Sequence, residues 1–325
     1  MKKIFVVFMV ALMIMGTITG CSKNTGSTGN DTYKIAIIQP MDHPSLNTIR
    51  ENIILGIEEA GLKDKVTIIY KNANGDTSLL PSIMQSLKSD GVDMLVPIGT
   101  GAAQSAAATN TTTPIVFSAV SNPIEAGLVT SLDKTTGNIT GVSDAIATEE
   151  IINLALELTP NIKTFGFIYN SSEINSIAGI EKAKAYLDKL GLSYKEATVT
   201  STGDVQQSAS SLVESIDAFF TPIDNTVASA MDTYAQVATK ANLPVYVSAD
   251  SMVSDGGLAT VGIDYTILGK QTASMIARIY NGEKISDNPV ESMTEYSKMI
   301  NKNVADSLGL VISDDLLKTF VIIGE

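Results

Sequence analysis

Few residues in this 325-residue chain could make or break bonds. There is one His, one Cys and no Trp. A nucleophile needs a base held beside it. With His43 and Cys21 alone of their kinds, a Cys/His pair, a His-rich metal site and a Cys-ligated metal site are excluded or strained by number. No Gly-x-Ser-x-Gly elbow is present, and no spacing of carboxylates suggests glycoside chemistry. No metal and no cofactor is expected, and an enzyme is not the expected class. What the chain does offer is short polar side chains and glycines, gathered in six loops. The first runs from Gln39 through Asp42 and His43 to Ser45. The second is Gly99-Thr100-Gly101-Ala102, and the third holds Ser118, Ala119, Ser121 and Asn122. The later three hold Asn170, Glu173, Asn175 and Ser176; then Asp224 and Asn225; then Ser248, Asp250 and Ser251. Such groups suit hydrogen bonding to a small polar head group. A Gly-rich turn opening a helix presents free N–H groups and partial positive charge, which can hold a carboxylate. It is not a nucleotide loop, since no Lys-Ser/Thr follows and G-x-G-x-x-G is absent. A plain tight turn and N-cap is the alternative. Asp224, Asp250 and Asp264 are candidates to pair with a ligand ammonium, because a buried ammonium needs a partner charge. Each could equally be a turn or N-cap Asp.

The elements around these loops explain why they belong together. Lys34–Gln39 is a continuous apolar run, as in a strand buried on both faces of a parallel sheet. Leu46, Ile49, Ile53, Ile54, Ile57 and Ala60 then fall at helical spacing, and Gly61 ends the pattern. Strands are predicted at 66–70, 94–98 and 115–118, with helices at 79–87 and 102–109. The alternation makes the class α/β with parallel sheets. The phrase then repeats. Thr164–Asn170 parallels Lys34–Pro40, Asp217–Ile223 parallels Asp93–Ile98, and Leu243–Ala249 parallels Thr113–Ala119, at offsets near 130, 125 and 130 residues. Two similar α/β/α lobes of about 120 residues are therefore expected, in line with the usual domain size. The six loops lie at the carboxyl ends of their strands. Ligands bind there in parallel sheets, and a cleft between two lobes favours small molecules.

The amino terminus reads as an address. Met1-Lys2-Lys3 is followed by an uncharged apolar run, Ile4–Ile18, then Thr19-Gly20-Cys21. This has the form of a signal peptide over residues 1–20. The run falls short of the roughly 20 residues of a spanning helix. Cys21 stands where a bacterial lipobox places its diacylated residue, and two acyl chains anchor stably where one would not. An ordinary secretory signal is the alternative. Residues 22–32 are a polar Gly/Ser/Thr/Asn tether. The formal net charge is −13, and −15 once Lys2 and Lys3 are removed. A chain so acidic is not expected to bind nucleic acid, which needs clustered cations.

The lipobox, tether and doubled lobes resemble the extracytoplasmic solute-binding proteins of bacterial ABC importers, of the type I periplasmic-binding fold. More narrowly, Asp42-His43-Pro44, the run Ile115–Pro123, Thr140–Asp144, Thr221–Thr226 and Leu268–Thr272 resemble the TrpX-like subgroup. Its members are associated with aromatic amino acids. The resemblance implies three hinge crossings, near 141–143, 262–264 and 291–295. It implies lobe 1 over 33–142 plus 265–292 and lobe 2 over 143–264 plus 293–325. It implies a ligand shell of Asp42, His43, Thr100, Ala102, Ser118, Ala119, Asn122 and Asp144 from the first half. Asn170, Glu173, Asn175, Ser176, Asp224, Asn225 and Asp250 complete it from the second, with Asp264 at the hinge. That shell holds no aromatic side chain. The implied partners are a small-molecule ligand and a membrane permease with a separate ATPase subunit; a monomer is expected. A sensing lobe for a membrane signalling receptor would use the same fold, and a secreted hydrolase is the enzyme alternative.

Overall fold

The computed structural model describes residues 32–109 and 112–324. The segments read as signal, lipidated Cys21 and tether lie, up to residue 31, outside the described residues. The first half alternates strand and helix: β1 (Tyr33–Gln39), α1 (Pro44–Glu59), β2 (Val66–Asn72), α2 (Leu80–Ser89), β3 (Met94–Pro97), α3 (Thr100–Thr109), β4 (Ile115–Ser118) and β5 (Ile139–Ser143). The second begins with α4 (Thr148–Leu158), β6 (Thr164–Asn170), α5 (Ile174–Leu190), β7 (Ser193–Val199) and α6 (Val205–Leu212). It continues with β8 (Ala218–Thr221), α7 (Asn225–Ala228), α8 (Met231–Lys240), β9 (Val245–Val247), α9 (Asp250–Ser254) and β10 (Ala259–Gly262). The chain closes with α10 (Tyr265–Tyr280), β11 (Glu291–Ser292), β12 (Ser297–Asn301), α11 (Lys302–Ser307), α12 (Asp314–Leu317) and β13 (Phe320–Ile323).

Two sheets result, with strand orders β11-β5-β4-β3-β1-β2 and β13-β12-β10-β9-β8-β6-β7. Their five-stranded centres, 5-4-3-1-2 and 10-9-8-6-7, have one winding, the structural form of the repeat seen in the sequence. Every pairing in the first sheet is parallel. In the second, β12 runs antiparallel to β10. β1 and β6 are buried over their last five and six residues, as continuous apolar runs covered by helices on both faces must be.

The chain passes between the sheets three times: after β5 into α4, after β10 into α10, and from β11 into β12. The second passage depends on close helix packing. α10 follows β10 of the second sheet yet packs along α1 and against β4 and β5 of the first. Glycines permit it. A Cβ at Gly269 would stand 2.7 Å from the Ile49 carbonyl oxygen, and one at Gly56 would stand 2.6 Å from the Ala273 Cβ. The segment after α10 is tied to the same lobe, since Thr135 and Thr140 both donate hydroxyl hydrogen bonds to the Asn288 carbonyl, at 3.1 and 2.7 Å. Gly269→Val is expected to destabilise the protein by about 1–3 kcal/mol, the usual cost of overpacking a core. Urea unfolding measures it, and an unchanged midpoint would show that the helices need no such approach.

Candidate functional site

The strand carboxyl ends and helix amino termini of both lobes line a cavity. Its first-lobe wall begins with His43, the extended residue preceding α1, followed by Ser45 and Leu46 in the first turn. Pro44 at the first helical position presets this entry, since its missing N–H would be unpaired there anyway. Beside them stand Gly99 and Thr100. Gly99 has a φ of 85°, which a residue without a Cβ adopts freely. Its N–H is bonded to the Ser118 carbonyl. The N–H groups of the next residues open α3, and a helix's first turn has no intrahelical acceptor for them. Ala119 sits at φ 56°, uncommon for a residue with a side chain, where the backbone turns sharply at the end of β4.

Asp144 stands where the chain first leaves the first sheet, 2% exposed. One carboxylate oxygen accepts a hydrogen bond from the Ser121 hydroxyl at 2.9 Å. No ion pair joins it among the described residues. Burial pushes its pKa up to about 6, against the opposing pull of the Ser121 hydrogen bond. Tyr265 opens α10 on the same side of the cavity. Burial raises its phenol well above the ordinary value, and the charges of Asp144 and Asp250 push in the same direction.

The second-lobe wall carries Asn175, Ile223, Asp224, Asn225, Ala228, Ala249 and Met252. Much of its polarity is already engaged. Asp224 caps α7, one oxygen accepting from the Val227 N–H at 2.8 Å and the other from the Asn170 N–H at 2.6 Å. Burial and the neighbouring Glu173 raise its pKa. Glu173 in turn accepts from the backbone and side chain of both Asn225 and Thr226, at 2.8–3.1 Å. The Asn175 amide donates to the Ile223 carbonyl at 2.8 Å, as does the Ser176 hydroxyl at 3.0 Å.

Of the residues singled out in the sequence, His43, Thr100, Ala119, Asp144, Asn175, Asp224 and Asn225 line this cavity. The others lie elsewhere. Asp42 is exposed, on an outer cleft shared with Ser229. Ala102 is buried in a first-lobe core with Ile38 and Leu95. The Ser118 hydroxyl is bonded to Thr272, 2.8 Å away, behind the wall. Asn122 lines a smaller adjoining pocket. Asn170 and Glu173 border a second opening, and Ser176 is buried behind Ile223. Asp250 accepts from the Ser251 N–H, and exposed Asp264 caps α10 through the Thr266 and Ile267 N–H groups. Tyr265, which follows directly after the cap that Asp264 supplies, also lines the cavity and adds an aromatic ring that the shell implied by the resemblance did not include. Leu46, Ile223, Ala228, Ala249 and Met252 are apolar wall residues that the sequence did not single out as ligand contacts.

Two similarly wound lobes with a cavity between their strand ends define a binding protein of the periplasmic type I class. The family model described as ABC transporter substrate binding protein matches residues 34–321, and the chain belongs to that family. It is 33% identical over 320 residues to a tyrosine-binding protein of Clostridioides difficile, covering 95% of this chain and 93% of that one. A solved structure of an ABC domain in complex with L-Trp from Streptococcus pneumonia is 38% identical, over 90% of this chain and 100% of that one, with a TM-score of 0.87. A ligand-free, open structure of a substrate-binding protein with adhesive properties from Clostridium difficile is 34% identical, over 90% and 99%, with a TM-score of 0.71.

The buried carboxylate has a consequence for stability. Asp144 holds its proton more tightly folded than unfolded, so its ionised form opposes folding at pH 7. That opposition fades as pH falls through about 6 and is gone below about 4. Asp144→Asn is therefore expected to stabilise the ligand-free protein at pH 7 by roughly 2 kcal/mol, with the gain shrinking toward pH 4. Thermal unfolding across that pH range measures it. A destabilised variant at pH 7 would mean that the charge is compensated.

Proposed function

We propose that the protein is the extracytoplasmic solute receptor of an ABC importer and that it takes a free amino acid, aromatic in its side chain, into the cavity between the lobes. The observation that carries this reading is the polarity of the cavity. Its lining holds a buried carboxylate, Asp144, with no ion-pair partner among the described residues, and Thr100 in the first turn of α3. The same lining holds the apolar side chains of Leu46, Ala228, Ala249 and Met252. An ammonium would compensate Asp144, the first-turn N–H groups would take a carboxylate, and the apolar wall and Tyr265 would receive the side chain. The tyrosine-binding relative and the L-Trp complex are consistent with that ligand class.

In this reading, lobe 1 is residues 33–142 plus 265–292, lobe 2 is 143–264 plus 293–325, and the three passages form a hinge. Ligand touching both lobes favours the closed form by its differential binding energy. At the same coverage and similar identity, the chain matches the L-Trp complex better than the open, ligand-free structure. That difference supports a lobe arrangement on the closed side. The loaded, closed protein would then dock on a permease driven by a separate ATPase subunit, with lipidated Cys21 keeping it at the membrane.

Free amino acids tried one at a time are expected to raise the melting temperature only for aromatic members, because ligand bound to the folded state alone stabilises it. No shift with any amino acid would discard the ligand class. Affinity should also fall roughly tenfold between pH 7 and pH 5, as Asp144, with its pKa near 6, loses the charge that the ammonium needs. Calorimetry at the two pH values decides it, and equal affinity would remove Asp144 from the head-group site. Cys21→Ser should move the protein from the membrane fraction to the medium or periplasm; retention at the membrane would refute the anchor.

A further inference from the structure

Three buried side-chain polar atoms have no hydrogen-bond partner among the described residues: His43 Nε2, Ser105 Oγ and Thr260 Oγ1. Only His43 lines the cavity between the lobes. We infer that His43 is the specificity residue of this site, its Nε2 accepting a hydrogen bond from the ring of the bound amino acid, so that a phenol or indole is taken in preference to an unsubstituted phenyl ring. This inference rests on the ligand class proposed above.

The neighbouring wall groups show why the role falls to this residue. The Ser45 hydroxyl donates to Ser251 at 2.7 Å, across the gap between the lobes. The Asn175 amide is engaged with the Ile223 carbonyl, and both Asp224 oxygens hold backbone N–H groups. Asp144 and the first turn of α3 answer to the charged head group. His43 stands apart from these uses. It occupies the capping position of α1 yet makes no side-chain cap bond, and it is 8% exposed. Leu46, three residues on, adds an apolar neighbour to the same wall.

Burial lowers the imidazole pKa, so the ring is neutral at pH 7 and keeps one unprotonated nitrogen. A phenol O–H and an indole N–H can each donate to that nitrogen; phenylalanine offers nothing there. Leaving a buried polar atom unpaired is costly, and a site built to bond a substrate hydroxyl or N–H rejects the analogue that lacks it. An apolar pocket without such a group would discriminate only weakly between these rings.

The test measures affinities of the full chain for L-tyrosine, L-tryptophan and L-phenylalanine, with the wild type, His43→Leu and His43→Gln. The wild type is expected to bind tyrosine or tryptophan at least roughly tenfold more tightly than phenylalanine, and His43→Leu to bring that ratio close to one. His43→Gln, which keeps a hydrogen-bonding atom, should retain part of the preference. Aromatic binding with an unchanged ratio in His43→Leu would overturn the inference while leaving the proposed function standing. That result is also the one expected if the imidazole serves the carboxylate. Failure of all three ligands to bind the wild type would instead remove the proposed function, and this inference with it. A measurement on unaltered protein guards against misfolded variants. His43 is the sole histidine, so its imidazole ¹⁵N signals need no assignment. The Nε2 signal should move much further with tyrosine or tryptophan than with phenylalanine, and equal movement with all three would overturn the inference.

Discussion

The seam between α1 and α10 is the constraint on which the molecule's organisation depends. A chain that has just laid down β10 of the second sheet has no local reason to return to the first. It returns because α10 can lie close along α1, where Gly56 and Gly269 leave no Cβ to hold the helices apart. That packing sets the start of α10 between the lobes, and Tyr265 is the residue found there. The return also brings β11 beside β5 in the first sheet before β12 joins the second. The second and third passages thus follow from one helix pair and the pairing of β11 and β12 in different sheets, and the cavity lies where the strand ends of the two lobes meet.

Polar residues at strand ends have two uses, and the structure separates them. A strand-to-helix turn leaves backbone N–H groups unpaired, and short polar side chains are the usual remedy. In the second lobe this need absorbs Glu173, Asn170 and most of Asp224, which together hold the start of α7. In the first lobe the corresponding turn is made by Gly99, which has no side chain with which to cap α3, and Gly99 and Thr100 line the cavity. Doubling of the fold has therefore not doubled the site. One lobe presents backbone donors, whereas the other presents side chains already bonded among themselves.

This asymmetry explains what could be read from the sequence and what could not. The apolar run at Lys34–Gln39, its echo at Thr164–Asn170 and the alternation between them carry enough periodicity to define two parallel α/β lobes, and the matching strand orders agree. The loops that line the cavity were also visible, because glycine and short polar residues mark strand ends. Which side chain within a loop faces inward was not visible. Asp264 drew attention as a charged residue, but its carboxylate serves the helix cap, and the next residue, Tyr265, faces the cavity. Ser118 sits at the end of β4 yet bonds sideways to Thr272 of α10, a partner 154 positions away. Leu46, Ala228 and Met252 look like ordinary core residues in sequence, because an apolar wall and a core use the same side chains.

Asp144 shows most directly how stability gives way to binding at this site. A carboxylate buried beside a serine hydroxyl weakens the fold at neutral pH, and an asparagine there could accept the same hydrogen bond without that penalty. Retaining the charge makes physical sense only if something positive arrives to meet it. A lysine or arginine from the protein would compensate it permanently and close the site to a cationic group; no such partner reaches it among the described residues. The same reasoning holds for the imidazole of His43, whose Nε2 is buried and without a hydrogen-bond partner among the described residues. Each is a local fault in a well-packed protein, and both residues line one cavity. A single guest with an ammonium at one end and a hydrogen-bond donor on its ring would correct both at once, and the free energy so recovered is what would hold the two lobes together.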